Sequence, residues 1–182
     1  MKICIDIDGV IASYNHKQIC SEYLGLEGIE ETDLLEYNIG NCLGVPGKDI
    51  TNMYSQACHK LLNIEDGAVE TLSKLIKSND IIIWTHRFKF QGATEISELL
   101  DKAKIPYSAI IKKLDFSVDA VFDDSIEKLF EAKPYCNNLY LFSRPWNEHC
   151  LNLRNYFTWV WDWNDINKEL NEIGAYNDNT MK

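Results

Sequence analysis

The sequence predicts an α/β fold built on a parallel β-sheet. Short apolar runs alternate along the chain with segments whose apolar residues recur at helical spacing. This alternation is typical of a three-layer arrangement in which helices cover both faces of the sheet. The strands are apolar almost throughout, which fits a sheet buried on both faces. A length of 182 residues suits one domain that carries an insertion.

Five apolar runs are predicted to be strands, and three amphipathic segments are predicted to be helices. The strands are residues 2–6, 80–85, 107–111, 119–123 and 138–142. The helices have apolar faces made by Ala68, Val69, Leu72, Leu75 and Ile76, by Ile96, Leu99, Leu100 and Ala103, and by Ile126, Leu129 and Phe130. Near the end of the chain Trp159, Trp161 and Trp163 alternate, as in a half-buried strand.

One long segment interrupts the alternation of strands and helices. Residues 13–65 contain no strong strand pattern, and a turn there is followed by a predicted helix from Ile50 to Leu62. We interpret this segment as a small helical cap inserted after the first strand. The predicted catalytic core is then residues 1–12 plus 66–175, and residues 176–182 form a tail that we expect to be frayed.

Composition restricts the classes of function and the compartment. The net charge of −10 argues against a protein that binds a nucleic-acid polymer, since such proteins carry a basic face. The six cysteines show no zinc spacing, and the N-terminus resembles no secretory leader, so we expect reduced thiols and a cytoplasmic protein. No apolar stretch is long enough for a membrane span.

Polar and charged residues follow the predicted strands directly. In an open parallel sheet, ligands bind beyond the carboxyl ends of the strands, so these residues are candidates for one site. They are Asp6 and Asp8 after the first strand, Thr85 and His86 after the second, Lys112 and Lys113 after the third, and Asp123 and Asp124 after the fourth.

The chemistry of this set points to phosphoryl transfer. Four carboxylates need a cation, and hard oxygen ligands suit Mg²⁺. A hydroxyl and a lysine beside the metal suit phosphate oxygens. Asp6 and Asp8 stand two residues apart on an extended chain and face the same way, so one can attack phosphorus while the other moves a proton. These residues alone do not tell which of the two attacks.

The ordered set of motifs resembles the haloacid dehalogenase (HAD) superfamily. DIDGV at residues 6–10 is similar to its first motif, IIIWT at 81–85 to its second, Lys113 to its third, and AVFDDS at 120–125 to its fourth. Within that superfamily the chain resembles the 5′(3′)-deoxyribonucleotidases, in DIDGVIASY at 6–14, LFSRPWNE at 141–148 and WDWNDI at 161–166. That branch has a small or hydroxyl residue where this chain has His86.

The resemblance implies a role for each matching residue. Asp6 is the nucleophile and a metal ligand, and Asp8 is the general acid and base whose backbone carbonyl binds the metal. Asp123 is a further ligand, and Asp124 acts through a metal-bound water or orients Lys113. Phosphate oxygens are held by Thr85, His86 and Lys113.

Several side chains keep two interpretations at this stage. Tyr14 either stacks on a nucleobase or packs the cap against the core, and Asp124 can also cap the following helix. Lys112 could exchange roles with Lys113. Arg87 and Arg144 either touch phosphate or pair with acids.

The function these features favour is a Mg²⁺-dependent nucleotidase that hydrolyses (deoxy)ribonucleoside monophosphates through an aspartyl-phosphate. The main alternative is a phosphatase for another small phosphate ester, such as a sugar phosphate. A receiver-like signalling domain and an inactive binding protein rank lower, the former because Lys113 precedes the Asp123–Asp124 pair. We expect a small phosphomonoester as substrate, with no nucleic-acid polymer or membrane as partner, and a homodimer as one form of assembly.

Overall fold

The structure is a computed structural model that describes residues 1–58 and 63–176, apart from the side chain of Leu151. Its main feature is a six-stranded sheet in which every neighbouring pair is parallel, in the order β5-β4-β1-β6-β7-β8. The strands are β1 (Lys2–Ile5), β4 (Asp80–Trp84), β5 (Ala109–Ile111), β6 (Ala120–Asp123), β7 (Leu139–Phe142) and β8 (Thr158–Val160). The predicted α/β fold and all five predicted strands are confirmed.

Helices cover both faces of the sheet because successive side chains of each strand point to opposite faces. Ile3 and Ile5 pack on one face against three helices, and Cys4 packs on the other face against a fourth. The three helices of the first face are α4 (Ala68–Leu75), α5 (Ala93–Lys102) and α7 (Trp163–Glu172), and the helix of the second is α6 (Ile126–Ala132).

The tryptophan run departs from its predicted strand. Strand β8 ends at Val160, and Trp161 is exposed. Asp162 then caps α7, because its Oδ1 accepts hydrogen bonds from the backbone N–H groups of Asn164 and Asp165. Trp163 therefore starts a helix rather than continuing the strand.

The described part of the segment between the first strand and α4 contains three α-helices with a hydrophobic cluster of their own. They are α1 (His16–Leu24), α2 (Ile39–Leu43) and α3 (Gly47–Ala57). The chain enters and leaves this segment through a two-stranded antiparallel ribbon of β2 (Ala12–Ser13) and β3 (Asn63–Ile64). We keep the name cap segment for residues 13–65.

Two predictions extend beyond the described residues. The cap helix predicted from Ile50 to Leu62 begins three residues earlier and ends at Ala57, and residues 59–62 are outside the description. The predicted fraying of the tail concerns residues 177–182, which also lie outside it. Within residues 1–58 and 63–176, no helix combines the length and the apolar character that crossing a membrane requires.

Candidate active site

Three aspartates meet at the carboxyl end of the sheet. Asp6 directly follows β1, Asp123 ends β6, and Asp124 comes next, and these two strands are hydrogen-bonded neighbours. One carboxylate oxygen from each residue lies within 4.8 Å of the corresponding oxygens of the other two. The structure thus brings together three of the four carboxylates that the sequence proposes as metal ligands, and Asp8 is described separately below.

All three carboxyl groups are almost completely buried, and this changes their acidity. The side chains belong to residues that are 5% exposed or less. Burial is the main cause that raises the pKa of each group, since it disfavours the charged form, and repulsion between the neighbouring carboxylates adds to it. Such a cluster requires a cation beside it to stay ionised near neutral pH.

Lys128, on α6, supplies a positive charge to this cluster. Its Nζ atom lies 2.6 Å from Oδ2 of Asp123 and 3.1 Å from Oδ1 of Asp6, and it donates a hydrogen bond of 2.8 Å to the backbone carbonyl of Trp84. The lysine is fully buried. Burial alone would lower its pKa, but attraction by Asp123 and Asp6 outweighs burial and raises it, so Lys128 carries its charge.

The structure places Lys128, and not the predicted Lys113, in ion-pair contact with the carboxylates. Lys113 and its neighbour Lys112 are exposed in the bend after β5, and the ammonium group beside the carboxylates belongs to Lys128 instead. The helical pattern had suggested Phe130 as a core residue, yet Phe130 is 41% exposed. The sequence pattern that could have identified the buried lysine is the spacing of Lys128 with Leu129 and Ala132, which puts Lys128 on the buried face of α6.

The cluster has the properties of a divalent cation site. Oδ1 of Asp6 and Oδ2 of Asp123 are buried, and Lys128 is their one ion-pair partner among the described residues. One ammonium group does not balance the charge of three buried carboxylates, and carboxylate oxygens are the ligands Mg²⁺ prefers. The residues present therefore fit the metal that the sequence predicts.

Asp8 lies at the edge of the cluster and is held by an arginine. Its side chain is 32% exposed, and its two carboxylate oxygens accept three hydrogen bonds from Arg87, of 2.8 to 3.2 Å. Gly9 follows with a φ of 77°, and a Cβ at this position would collide with the carboxylate of Asp124. Glycine is needed here for both its conformation and its small size.

The phosphate-binding candidates Thr85 and His86 lie at the end of β4. Thr85 is buried, and its Oγ1 accepts a hydrogen bond of 3.1 Å from the backbone N–H of Arg87. His86 is half-buried and lines the cavity described below. Burial, with added repulsion from Lys128 and Lys89, lowers the pKa of His86 to about 4, so this side chain is neutral at physiological pH.

The two roles considered for Asp124 are now separated. Helix α6 is capped by Ser125, whose Oγ accepts from the backbone N–H of Lys128 at 3.4 Å. The Oδ2 of Asp124 instead accepts a hydrogen bond of 2.9 Å from the indole N–H of Trp146. Asn147 fixes the backbone by donating to the carbonyls of Asp124 and Phe142. The carboxylate thus faces the cluster, not the helix.

A cavity of about 270 Å³ opens beside Asp8 and Asp124, between the sheet and the cap segment. Its walls include the aromatic rings of Tyr14, Tyr37, Tyr54, Phe90 and Trp146 and the imidazole rings of His16 and His86. The ring of Tyr14 also packs 5.2 Å from that of Tyr54, between centroids. Tyr14 therefore packs within the cap segment and also lines the cavity, and its stacking on a nucleobase stays a prediction.

The sequence left the partners of Arg87 and Arg144 undecided, and in the structure each of these arginines forms an ion pair with an acidic residue. Arg87 contacts Asp8 as described, and NH2 of Arg144 lies 2.5 Å from Oε1 of Glu65. The Nε of Arg144 also donates to the carbonyl of Gly9 at 2.8 Å, which supports the turn between Asp8 and the cap segment.

Comparison with solved structures identifies the fold. A haloacid dehalogenase-like hydrolase from Streptococcus pneumoniae matches 92% of this chain and 97% of its own, with a TM-score of 0.58 and 12% sequence identity. The chain has the haloacid dehalogenase-like fold. A D,D-heptose 1.7-bisphosphate phosphatase from B. bronchiseptica, solved with magnesium and phosphate, matches 94% of this chain and 99% of its own, with a TM-score of 0.52 and 10% identity.

Comparison of sequences gives a weaker but independent similarity. A nucleotidase from Clostridium acetobutylicum is 30% identical over 114 residues, which are 60% of this chain. The chain spans 58% of the length of that relative. No protein-family model matches the chain.

Proposed function

We propose that the protein is a Mg²⁺-dependent phosphomonoesterase that hydrolyses (deoxy)ribonucleoside monophosphates through an aspartyl-phosphate. The observation that carries this proposal is the convergence of Asp6, Asp123 and Asp124 with Lys128 beside an aromatic cavity. The haloacid dehalogenase-like fold and the similarity to a nucleotidase support it.

The metal would be held by oxygen atoms of the strand ends. The carboxylates of Asp6 and Asp123 and the backbone carbonyl of Asp8 are the proposed direct ligands, and Asp124 would act through a metal-bound water. When bound, Mg²⁺ supplies positive charge that offsets the charge of the phosphate and of the buried carboxylates.

The residues of the chain divide the reaction between them. The carboxylate of Asp6 attacks phosphorus, and the bond from phosphorus to the leaving oxygen breaks as Asp8 gives that oxygen a proton. Asp8 then takes a proton from water as the water oxygen attacks phosphorus, which releases Asp6 and inorganic phosphate. Thr85 and His86 would hold the phosphate oxygens, and Lys128, in the role predicted for Lys113, would offset their negative charge.

The aromatic cavity supports a nucleotide as the substrate. Any nucleobase can stack on an aromatic side chain because every base has a π face. Each stacked base contributes about 1–3 kcal/mol to the free energy of binding. The rings of Tyr14, Tyr54 and Trp146 are candidates for this contact. A sugar phosphate is the second candidate, favoured by the structural similarity to a heptose bisphosphate phosphatase.

Two other classes of function are less well supported. A receiver-like domain ranked lower because the predicted site lysine, Lys113, precedes the acid pair. Lys128 follows Asp124, so the order of these residues no longer argues against that class. The haloacid dehalogenase-like fold and the helices of the cap segment still favour an enzyme. An inactive binding protein would not need three buried acids clustered around a lysine.

The six unpaired cysteines support a reducing compartment such as the cytoplasm.

A panel of substrates tests the proposal. Phosphate release is measured with dUMP, dTMP, AMP and glucose 6-phosphate, each with Mg²⁺ and with EDTA. We expect release that requires Mg²⁺ and is faster for the nucleotides. A clear preference for glucose 6-phosphate would favour the second candidate, and no release from any substrate would favour a binding protein.

A further inference from the structure

Arg87 is a buried arginine, and all three nitrogen atoms of its guanidinium group donate hydrogen bonds. It is 2% exposed and lies in the short 3-10 turn (His86–Lys89) that follows β4. Its Nε donates to both carboxylate oxygens of Asp8, at 3.0 and 3.2 Å, and NH2 donates to Oδ1 at 2.8 Å. This forked contact fixes the plane of the Asp8 carboxyl group, which a single point charge would not do.

The same guanidinium group also contacts the cap segment at two residues far apart in sequence, Tyr14 and Cys58. NH2 donates to the hydroxyl of Tyr14 at 3.2 Å, just after β2, where the chain enters the cap segment. Nη1 donates a hydrogen bond of 2.8 Å to the backbone carbonyl of Cys58, which directly follows α3. One side chain therefore joins Asp8 to the start of the cap segment and to the end of α3.

We propose that Arg87 is a positioning residue that aligns the carboxyl group of Asp8 with the leaving oxygen of the substrate, and that it does so from contacts with the cap segment. The proposal rests on the proposed function, in which Asp8 transfers the proton. An acid that donates in the transition state needs a defined distance and direction to the oxygen it protonates. Without the fork, the partly exposed Asp8 side chain would be free to rotate.

The leaving group of the substrate separates this role from a structural one. Protonation by an acid matters more when the departing oxygen is more basic. Phenyl phosphate has a more basic leaving group than 4-nitrophenyl phosphate, and the two rings are of similar size. A misaligned Asp8 therefore slows phenyl phosphate more, whereas a general loosening of the fold slows both substrates alike.

The test compares kcat/KM for these two substrates in Arg87→Lys, Tyr14→Phe and Asp8→Asn. Arg154→Lys is the matched control, since Arg154 is an exposed arginine that packs over Trp159 away from the site. We expect Arg87→Lys to lose about tenfold more activity on phenyl phosphate than on 4-nitrophenyl phosphate, as Asp8→Asn does. Tyr14→Phe should shift the ratio in the same direction by about twofold, because it removes one neutral hydrogen bond.

The double variant Arg87→Lys/Asp8→Asn should lose no more than Asp8→Asn alone, since both changes act on one proton transfer. Equal losses on both substrates in a folded Arg87→Lys protein would overturn the inference. Should Arg87→Lys not fold, as judged by thermal unfolding, Tyr14→Phe decides, and an unchanged ratio in that variant overturns the inference. A wild-type protein without activity on either substrate would instead overturn the proposed function, and this inference with it.

Discussion

Lys128 and Asp123 form a fully buried ion pair, with Nζ of the lysine 2.6 Å from Oδ2 of the aspartate. The pair joins α6 to the end of β6, and the same ammonium group reaches Asp6 on the neighbouring strand. Buried pairs of this kind are costly to break, because the remaining charge has no solvent around it. This position gives Lys128 a role in stability, and the proposed function adds a role in offsetting the charge of the phosphate.

Replacing Lys128 with methionine should remove activity, whereas replacing Lys113 should not. The Lys128→Met variant leaves three buried acids without their ammonium partner, and we expect kcat/KM for dUMP to fall by about 10²- to 10³-fold. The exposed Lys113→Met is the matched control and should stay within about twofold of wild type. Loss of activity in Lys113→Met together with an active Lys128→Met would return the role to Lys113.

Binding of Mg²⁺ should stabilise the protein more at high pH than at low pH. The pKa of Asp6 is raised to about 8, and those of Asp123 and Asp124 are raised as well. A carboxyl group with a raised pKa adds stability below its unfolded pKa, and this stability is lost as the pH rises toward the folded value. Metal ions replace the lost protons, so the increase in Tm on adding Mg²⁺ should grow between about pH 5 and about pH 8.

Thermal unfolding with Mg²⁺ and with EDTA measures this increase directly. The Asp123→Asn variant provides the control, since it removes a proposed ligand and should abolish most of the increase at both pH values. A shift in Tm that is equal at both pH values would mean that these carboxyl groups do not bind the metal.

His86 should reduce stability as the pH falls. Burial and the nearby lysines lower its pKa from 6.5 to about 4. A group with a lowered pKa adds stability above its unfolded value, and this stability is lost as the pH falls from 6.5 toward 4. We therefore expect the Tm of His86→Gln to fall less than the Tm of wild type when the pH is lowered from about 7 to about 5. His149→Gln is the comparison variant, and an identical pH dependence in His86→Gln and wild type would contradict the prediction.

Tyr54 should contribute to nucleotide binding and not to phosphate chemistry. Its ring lines the cavity, and its hydroxyl lies 3.3 Å from Nε2 of His16. Loss of a stacking partner should raise KM for dUMP by about tenfold in Tyr54→Leu and leave kcat within about twofold. The exposed Tyr156→Leu serves as the control. A change in kcat with an unchanged KM would place Tyr54 outside the base contact.

The sheet and the acidic strand ends were predictable because the sequence encodes them locally. Runs such as residues 80–85 are strongly apolar and β-branched, and parallel strands place the residues that follow them at one edge. Asp6, Asp123 and Asp124 come together for that reason alone. The approach of Gly9 to Asp124 follows from the same geometry.

The partners of these acids were not predictable, because they depend on tertiary packing. A lysine in an amphipathic helix is ordinarily exposed, so the spacing that places Lys128 with Leu129 and Ala132 on the buried face of α6 did not by itself identify the site lysine. The sequence left Arg87 between two interpretations, since its contacts reach Asp8, Tyr14 and Cys58 across long separations. Short motifs carry no information on such separations.

The proposed mechanism depends on the attack of Asp6 on phosphorus within a Mg²⁺-dependent site. Phosphate release from dUMP by wild type and by Asp6→Asn, each with Mg²⁺ and with EDTA, tests it most directly, with exposed Asp115→Asn as the control. We predict Mg²⁺-dependent release by wild type and Asp115→Asn, and a fall of about 10⁴-fold or more in a folded Asp6→Asn protein. Release by Asp6→Asn at a rate close to that of wild type would contradict the account.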